Sequence, residues 1–148
     1  MTANHTADEK QIRALLDEFA DAIRNRDAGA AIALYADDVV TYDLAPPLAI
    51  ESPGMHDPAR MQEWFDTWAT PIESKPHRLT IRVGGDVAFA FTLQHMTGKK
   101  IQGQEVDLWF RATACFIRKN GAWKIAHMHN SVPLAMDGSG RALIDLEP

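Results

Sequence analysis

Only one cysteine, Cys115, occurs in the 148 residues, so no internal disulfide can form and a fourfold thiolate zinc site is excluded. No apolar run approaches the roughly 20 residues needed to cross a bilayer, which leaves a soluble chain as the expectation. Clustered positive charge is also scarce. The net charge is −5, and the adjacent basic pairs Lys99-Lys100 and Arg118-Lys119 fall where hairpin ends are expected, so nucleic acid finds no basic face. The opening MTANHTADEK lacks the apolar stretch of a secretion signal, which points to a reducing cytoplasm and makes the glycosylation pattern Asn4-His5-Thr6 a chance match. There is no Gly-rich phosphate loop, no G-x-S-x-G elbow, no C-x-x-C, no repeat and no linker. One domain over residues 1–148 is therefore expected, large enough to bury roughly 70% of the unfolded chain's surface in one core.

What is present is patterned. Ile12, Leu15, Leu16, Phe19 and Ile23 recur at helical spacing behind a Thr6…Glu9 capping pattern, predicting a helix over about residues 8–25. Asp27 is placed to cap a second short helix carrying Ile32, Leu34 and Tyr35. The β-branched run Val39-Val40-Thr41-Tyr42 then predicts a short strand ending at Asp43. Pro46, Pro47, Pro53 and Gly54 make 44–55 a loop, and Asp57-Pro58 starts a third helix whose stripe is Met61, Trp64, Phe65 and Trp68, ending by Pro71. Beyond Pro76 the period drops to two. Leu79, Ile81 and Val83 alternate before the Gly84-Gly85-Asp86 turn, and Val87, Phe89, Phe91 and Leu93 after it. A strand over about 105–118 and another over 123–132 are joined at Asn120-Gly121, the strongest short hairpin signal, and Pro133 ends the last. A turn at Asp137-Gly138-Ser139-Gly140 and a weak apolar segment, Ala142-Leu143-Ile144, follow. Helices grouped before a run of antiparallel strands indicate an α+β fold with helices over one sheet face.

The strand from 105 has two unlike faces. Val106, Leu108, Phe110, Ala112, Ala114 and Phe116 form an apolar row, while Asp107, Trp109, Arg111, Thr113 and Cys115 form a mixed one. The preferred expectation is that the apolar row meets a partner subunit and the mixed row lines a cavity; the opposite assignment is the alternative. His127 and His129 share a strand face with Ser131, in line with Trp123 and Ile125, so two ionisable rings stand on one wall, able to serve as acid and base, to orient a ligand or to hold a metal. The bland reading makes one a hydrogen-bonded core residue and the other a surface one. A metal would need a third ligand, such as Asp43 or His95. Asp43 ends a strand at the rim of an apolar region, where desolvation favours general-base work, although a turn-capping loop aspartate has the same pattern. Arg111, if buried, needs a partner such as Asp107, Asp43 or a ligand oxygen. Phe19, Tyr42, Trp64, Trp68, His95, Asp107, Trp109 and Thr113 are candidate ligand contacts, with plain core packing as the competing role for the tryptophans. Cys115 has no motif around it and reads as a small packed residue.

These residues carry a family resemblance. The segment 33–40 (ALYADDVV) with Tyr42-Asp43, and the hairpin Asn120-Gly121-Ala122-Trp123-Lys124-Ile125, resemble ketosteroid isomerases and the wider nuclear-transport-factor-two-like superfamily. Residues 43–48 (DLAPPL), 106–113 (VDLWFRAT) and the ending Trp123-x-Ile125-x-His127-x-His129-x-Ser131-Val132-Pro133 are most similar to SnoaL-like proteins. The resemblance covers nearly the whole chain. It implies a cone-shaped, curved antiparallel sheet packed by three helices around one deep pocket, usually in a homodimer. The superfamily hosts isomerases, cyclases, dehydratases, hydrolases and binding domains, so it specifies fold better than reaction. By this resemblance Asp43 falls at the isomerase general base. Phe19 stands where those enzymes place an oxyanion-stabilising tyrosine, and Cys115, or Thr113 with a small shift, where they place a protonated aspartic acid. Losing such a donor costs roughly 100- to 1,000-fold, so familiar steroid isomerisation is not expected unless Arg111, His127 or His129 substitutes.

Two functions follow as expectations. The first is a cofactor-independent isomerase or polyketide-cyclase-type enzyme moving protons on a small, partly apolar carbonyl compound, with Asp43 as base and His127, His129 and Arg111 as acid or oxyanion stabilisers. The second is a non-catalytic binding or carrier domain. A metal-dependent activity is a third, with no metal or organic cofactor expected under the first two.

Overall fold

The computed structural model describes residues 2–148, with side chains from position 6 onward, so the Asn4-His5 part of the glycosylation pattern lies outside the described side chains. Helix α1 is Thr2–Arg24 and α2 is Ala28–Ile32. Strand β1 is Tyr35–Tyr42 and β2 is Ile50–Glu51, after which a 3-10 turn, Gly54–His56, leads into α3, Pro58–Phe65. Strands β3 (Glu73–Gly84), β4 (Val87–Lys99), β5 (Glu105–Lys119) and β6 (Ala122–Ser131) complete the order. The expected caps form, Asp27 accepting from Ala30 N and Asp57 from Ala59 N, each at 3.0 Å.

Several boundaries differ from expectation for local reasons. Helix α1 starts ahead of the Thr6…Glu9 pattern, because nothing in the preceding residues breaks a helix. Leu34 and Tyr35 leave α2 early, since the Leu34 carbonyl accepts from Ile125 N at 2.9 Å and Tyr35 opens β1 opposite Ile125. Helix α3 stops at Phe65, so Trp68 lies beyond it, in a bridge to Lys100. Strand β3 begins before Pro76, which is tolerated because β3 is an edge strand.

The sheet order is β2-β1-β6-β5-β4-β3. It is mixed rather than wholly antiparallel, because β1 runs parallel to β6. Irregular register at His77/Thr80, where Arg78 takes φ +59, and at Cys115/Phe116 gives the local bends that let the sheet curve.

Register also settles what each face does. The core joins Ile12 and Leu15 of α1 to Tyr35, Val39, Ile81, Ala88, Ala90, Phe116, Trp123 and Ile125. Phe116 is 1% exposed, and burial of this kind stabilises by about 1.5–3 kcal/mol per large side chain. The apolar row of β5 therefore faces the chain's own helices, and the mixed row faces outward. This reverses the preferred expectation: Phe116 and Ala114 of the apolar row pack into the core that holds Ile12 and Leu15 of α1, and Val106 packs against the cluster of Phe65, Trp68 and Ile72.

Candidate active site

The outer face collects most of the expected site residues. Tyr42 lies edge-on to His127 (4.8 Å between centroids) and to His129 (5.4 Å), which puts all three on one side of the sheet. His127 Nδ1 donates to the Val40 carbonyl at 2.7 Å. The exposed Arg111 donates through Nε to Ser131 Oγ at 3.2 Å, so it needs neither Asp107 nor Asp43. His95 stacks flat on Trp109 at 4.2 Å and donates through Nε2 to Asp107 Oδ1 at 2.6 Å, while His77 meets the same indole at 5.6 Å. Thr113 and Cys115 alternate with the inner residues of β5 and so belong to this face, where burial pushes the Cys115 thiol pKa up. These groups stand on an open surface with Val87, Phe89 and Phe91.

Asp43 stands on the other side. Thr41 is buried beneath Met55, Tyr42 turns outward, and Asp43 turns back inward beside Asn130, whose Nδ2 donates to Asp43 Oδ1 at 3.3 Å. Leu44 N donates to the same oxygen at 2.7 Å. Asp43 is exposed rather than desolvated, as are residues 44–49 of the Pro-rich loop after it. The four residues expected to act together are thus divided, Asp43 inside and Arg111, His127 and His129 outside.

Three residues that the sequence patterns did not single out accompany Asp43. Tyr35 is 6% exposed, and its hydroxyl has no hydrogen-bond partner among the described residues. Burial, and then the negative charge of Asp43, push its pKa far above the ordinary phenol value, so it remains a neutral donor and feels the carboxylate. Phe19 packs against the Tyr35 ring at 6.0 Å, so it adjoins a side chain that carries a phenol hydroxyl. His56, half-buried on the 3-10 turn, lies edge-on to Tyr35 at 6.4 Å, and its Nδ1 is 3.2 Å from Ser52 Oγ. Asn130 is the third. Its inward direction follows from the same alternation that turns His127 and His129 outward, whereas His56 sits in an irregular loop where no periodicity could have marked it.

The tryptophans form a separate corner. Trp68 is buried with Phe65 and Ile72, meets Trp64 at 5.7 Å, and carries Lys100 Nζ 4.0 Å above its ring, while its own indole N–H finds no acceptor. Burial lowers the Lys100 pKa. Two surface hollows lie away from Asp43. One of about 340 Å³ is lined by Thr70, Thr97, Lys99, Glu105 and Asp107, and one of about 450 Å³ by Arg82, Val87, Phe89, Cys115, Ile117 and Ala126. Among the described residues no three His, Cys, Asp or Glu side chains gather around a common point, so the metal reading lacks its third ligand. No helix among them is long and apolar enough to cross a membrane.

The SnoaL-like domain model matches residues 12–135. A crystal structure of an NTF2-like protein of unknown function from Pseudomonas putida KT2440 is 31% identical and superposes with a TM-score of 0.84 over 97% of this chain and 98% of that one. At 18% and 14% identity, two further structures share the fold. One is an NTF2-like protein from Streptomyces avermitilis, provisionally a dehydratase (TM-score 0.76, 88% of this chain and 99% of that one). The other, from Novosphingobium aromaticivorans DSM 12444, is provisionally a scytalone dehydratase (TM-score 0.78, 100% and 99%). None of the curated proteins matches the chain.

Proposed function

The chain belongs to the SnoaL-like domain family, and we propose that it catalyses proton transfer on a small, partly apolar carbonyl compound, as an isomerase, cyclase or dehydratase-type enzyme. What supports this reading is that the Asp43 carboxylate lies close enough to raise the pKa of a buried phenol, Tyr35, whose hydroxyl has no hydrogen-bond partner among the described residues. A base removes the proton α to the carbonyl, and a neutral hydroxyl donates to the enolate oxygen that develops. Tyr35 thus offers the donor that Phe19 cannot. Half-buried Phe19, Met55, Met61 and Met128 provide apolar, adaptable surroundings for the rest of the ligand.

The test is exchange of deuterium from heavy water into a panel of enolisable ketones, followed by proton NMR. Asp43→Asn should slow exchange by at least about 100-fold, the lower end of general-base contributions. Unchanged exchange removes Asp43 from the chemistry. The exposure of Asp43 favours a second reading, a non-catalytic binding domain, for which saturable ligand binding without exchange in the native protein is the signature.

The outer face suits a homodimer. Val87, Phe89 and Phe91 are 59%, 45% and 46% exposed in one strand, an apolar area of the kind that marks an interface.

A further inference from the structure

We propose that His56 is the acceptor for a hydroxyl group of the ligand, so that the molecule held beside Asp43 and Tyr35 is a hydroxylated carbonyl compound rather than a simple ketone. This rests on the reading of that wall as the ligand site. The argument begins with the single hydroxyl proton of Ser52. Ser52 Oγ lies 3.2 Å from the Val39 carbonyl, which only accepts, so the Ser52 proton is committed there. The contact between Ser52 Oγ and His56 Nδ1, also 3.2 Å, must then run the other way, with Nδ1–H donating to the serine oxygen.

The neutral ring therefore has its proton on Nδ1 and a bare lone pair on Nε2. No described residue hydrogen-bonds that nitrogen. The imidazole is half-buried, its orientation is set by the Val39-Ser52 chain, and it abuts Tyr35. Tyr35 is a donor that needs an acceptor and His56 Nε2 an acceptor that needs a donor; a ligand carrying both a carbonyl oxygen and a hydroxyl satisfies both at once. Sites built to bond a substrate hydroxyl reject the analogue lacking it, because the buried partner is left unpaired.

The direct test is 15N NMR of the protein's histidines at a pH above imidazole titration, with the His56 signals assigned by their loss in His56→Phe. An unprotonated Nε2 that shifts on adding 2-naphthol, a flat apolar probe whose one hydroxyl can donate to that nitrogen, is the expected result; a proton on Nε2, or no shift at millimolar naphthol, overturns the proposal. In parallel, 2-naphthol should bind about tenfold more tightly than 2-methoxynaphthalene, a preference that His56→Phe removes and Ser52→Ala weakens. Equal binding of the two probes by the unaltered protein also overturns it. Asp43→Asn separates the two ideas. If deuterium exchange survives that change while the His56 response persists, the base assignment fails and the hydroxyl acceptor stands; loss of exchange with no His56 response has the opposite meaning.

Discussion

Asn130 reaches from β6 to the carboxylate of Asp43 at the end of β1, a 3.3 Å contact between residues 87 positions apart. It ties the two parallel strands together at their C-terminal ends and holds the carboxylate on the helix-covered side, away from Tyr42, His127 and His129.

Removing that tether should weaken activity without unfolding the protein. Asn130→Ala leaves the carboxylate only the Leu44 N–H, and a lost hydrogen bond of about 1 kcal/mol predicts a roughly fivefold slower deuterium exchange. The thermal midpoint should stay within a degree or two of the starting value, since the contact is exposed. A midpoint that collapses instead would make Asn130 a folding residue.

Alkaline pH should expose Tyr35. Its pKa is raised in the fold above the ordinary value of 10.0, so the folded protein keeps a proton that the unfolded chain gives up. The stabilisation is fully present below pH 10 and is lost as pH rises from there toward the folded value. Phenolate absorbance of the native protein just above pH 10 should fall short of that of the unfolded chain by up to one of its two tyrosines. Tyr35→Phe should abolish the shortfall.

Gly98→Ala tests the corner at Trp68. A Cβ there meets Trp68 Cζ3 at 2.8 Å, Cε3 at 3.0 Å and the Pro71 carbonyl at 3.1 Å, contacts that a rigid indole and a backbone oxygen cannot yield cheaply. Overpacking of this kind costs about 1–3 kcal/mol, which denaturant unfolding measures directly.

Phe91→Lys tests the outer face. It puts a charge in the middle of the exposed aromatic stretch and touches nothing on the inner wall. Sedimentation should show the unaltered protein as a dimer at micromolar concentration and the variant as a monomer, with the unfolding midpoint of the monomer little changed. A protein monomeric before the substitution contradicts the dimer.

The distribution of legible and illegible features has a physical cause. Period-two alternation predicts His127 and His129 in line with Trp123 and Ile125, but Ala126 is left unpaired where the β5–β6 register shifts, which carries both histidines to the face opposite those core residues; their separation from Asp43 then follows from the long-range pairing of β1 with β6 and was not present in the residue order. Nor was the side of β5 that faces the helices, because both rows of β5 contain large apolar groups and only the docking of α1 distinguishes them. The caps at Asp27 and Asp57 were legible, since each depends on neighbouring residues alone. Local spacing reads Tyr35 as helical, because the strand residue that claims it, Ile125, is 90 positions away. His56 had no local signature at all; its part comes from Ser52, Val39 and Tyr35 converging on it.

The strand order places an early segment beside a late one, since β1 has β6 as its long neighbour. On the ribosome, a nascent chain halted before residue 122 holds Tyr35, Asp43 and His56 but lacks the strand against which Asp43 is set. Long-range pairing of this kind closes slowly and pays its loop entropy first. Competence for the proposed chemistry should therefore emerge abruptly once β6 can pair with β1, and fragments ending before residue 122 should be inert however well their helices form.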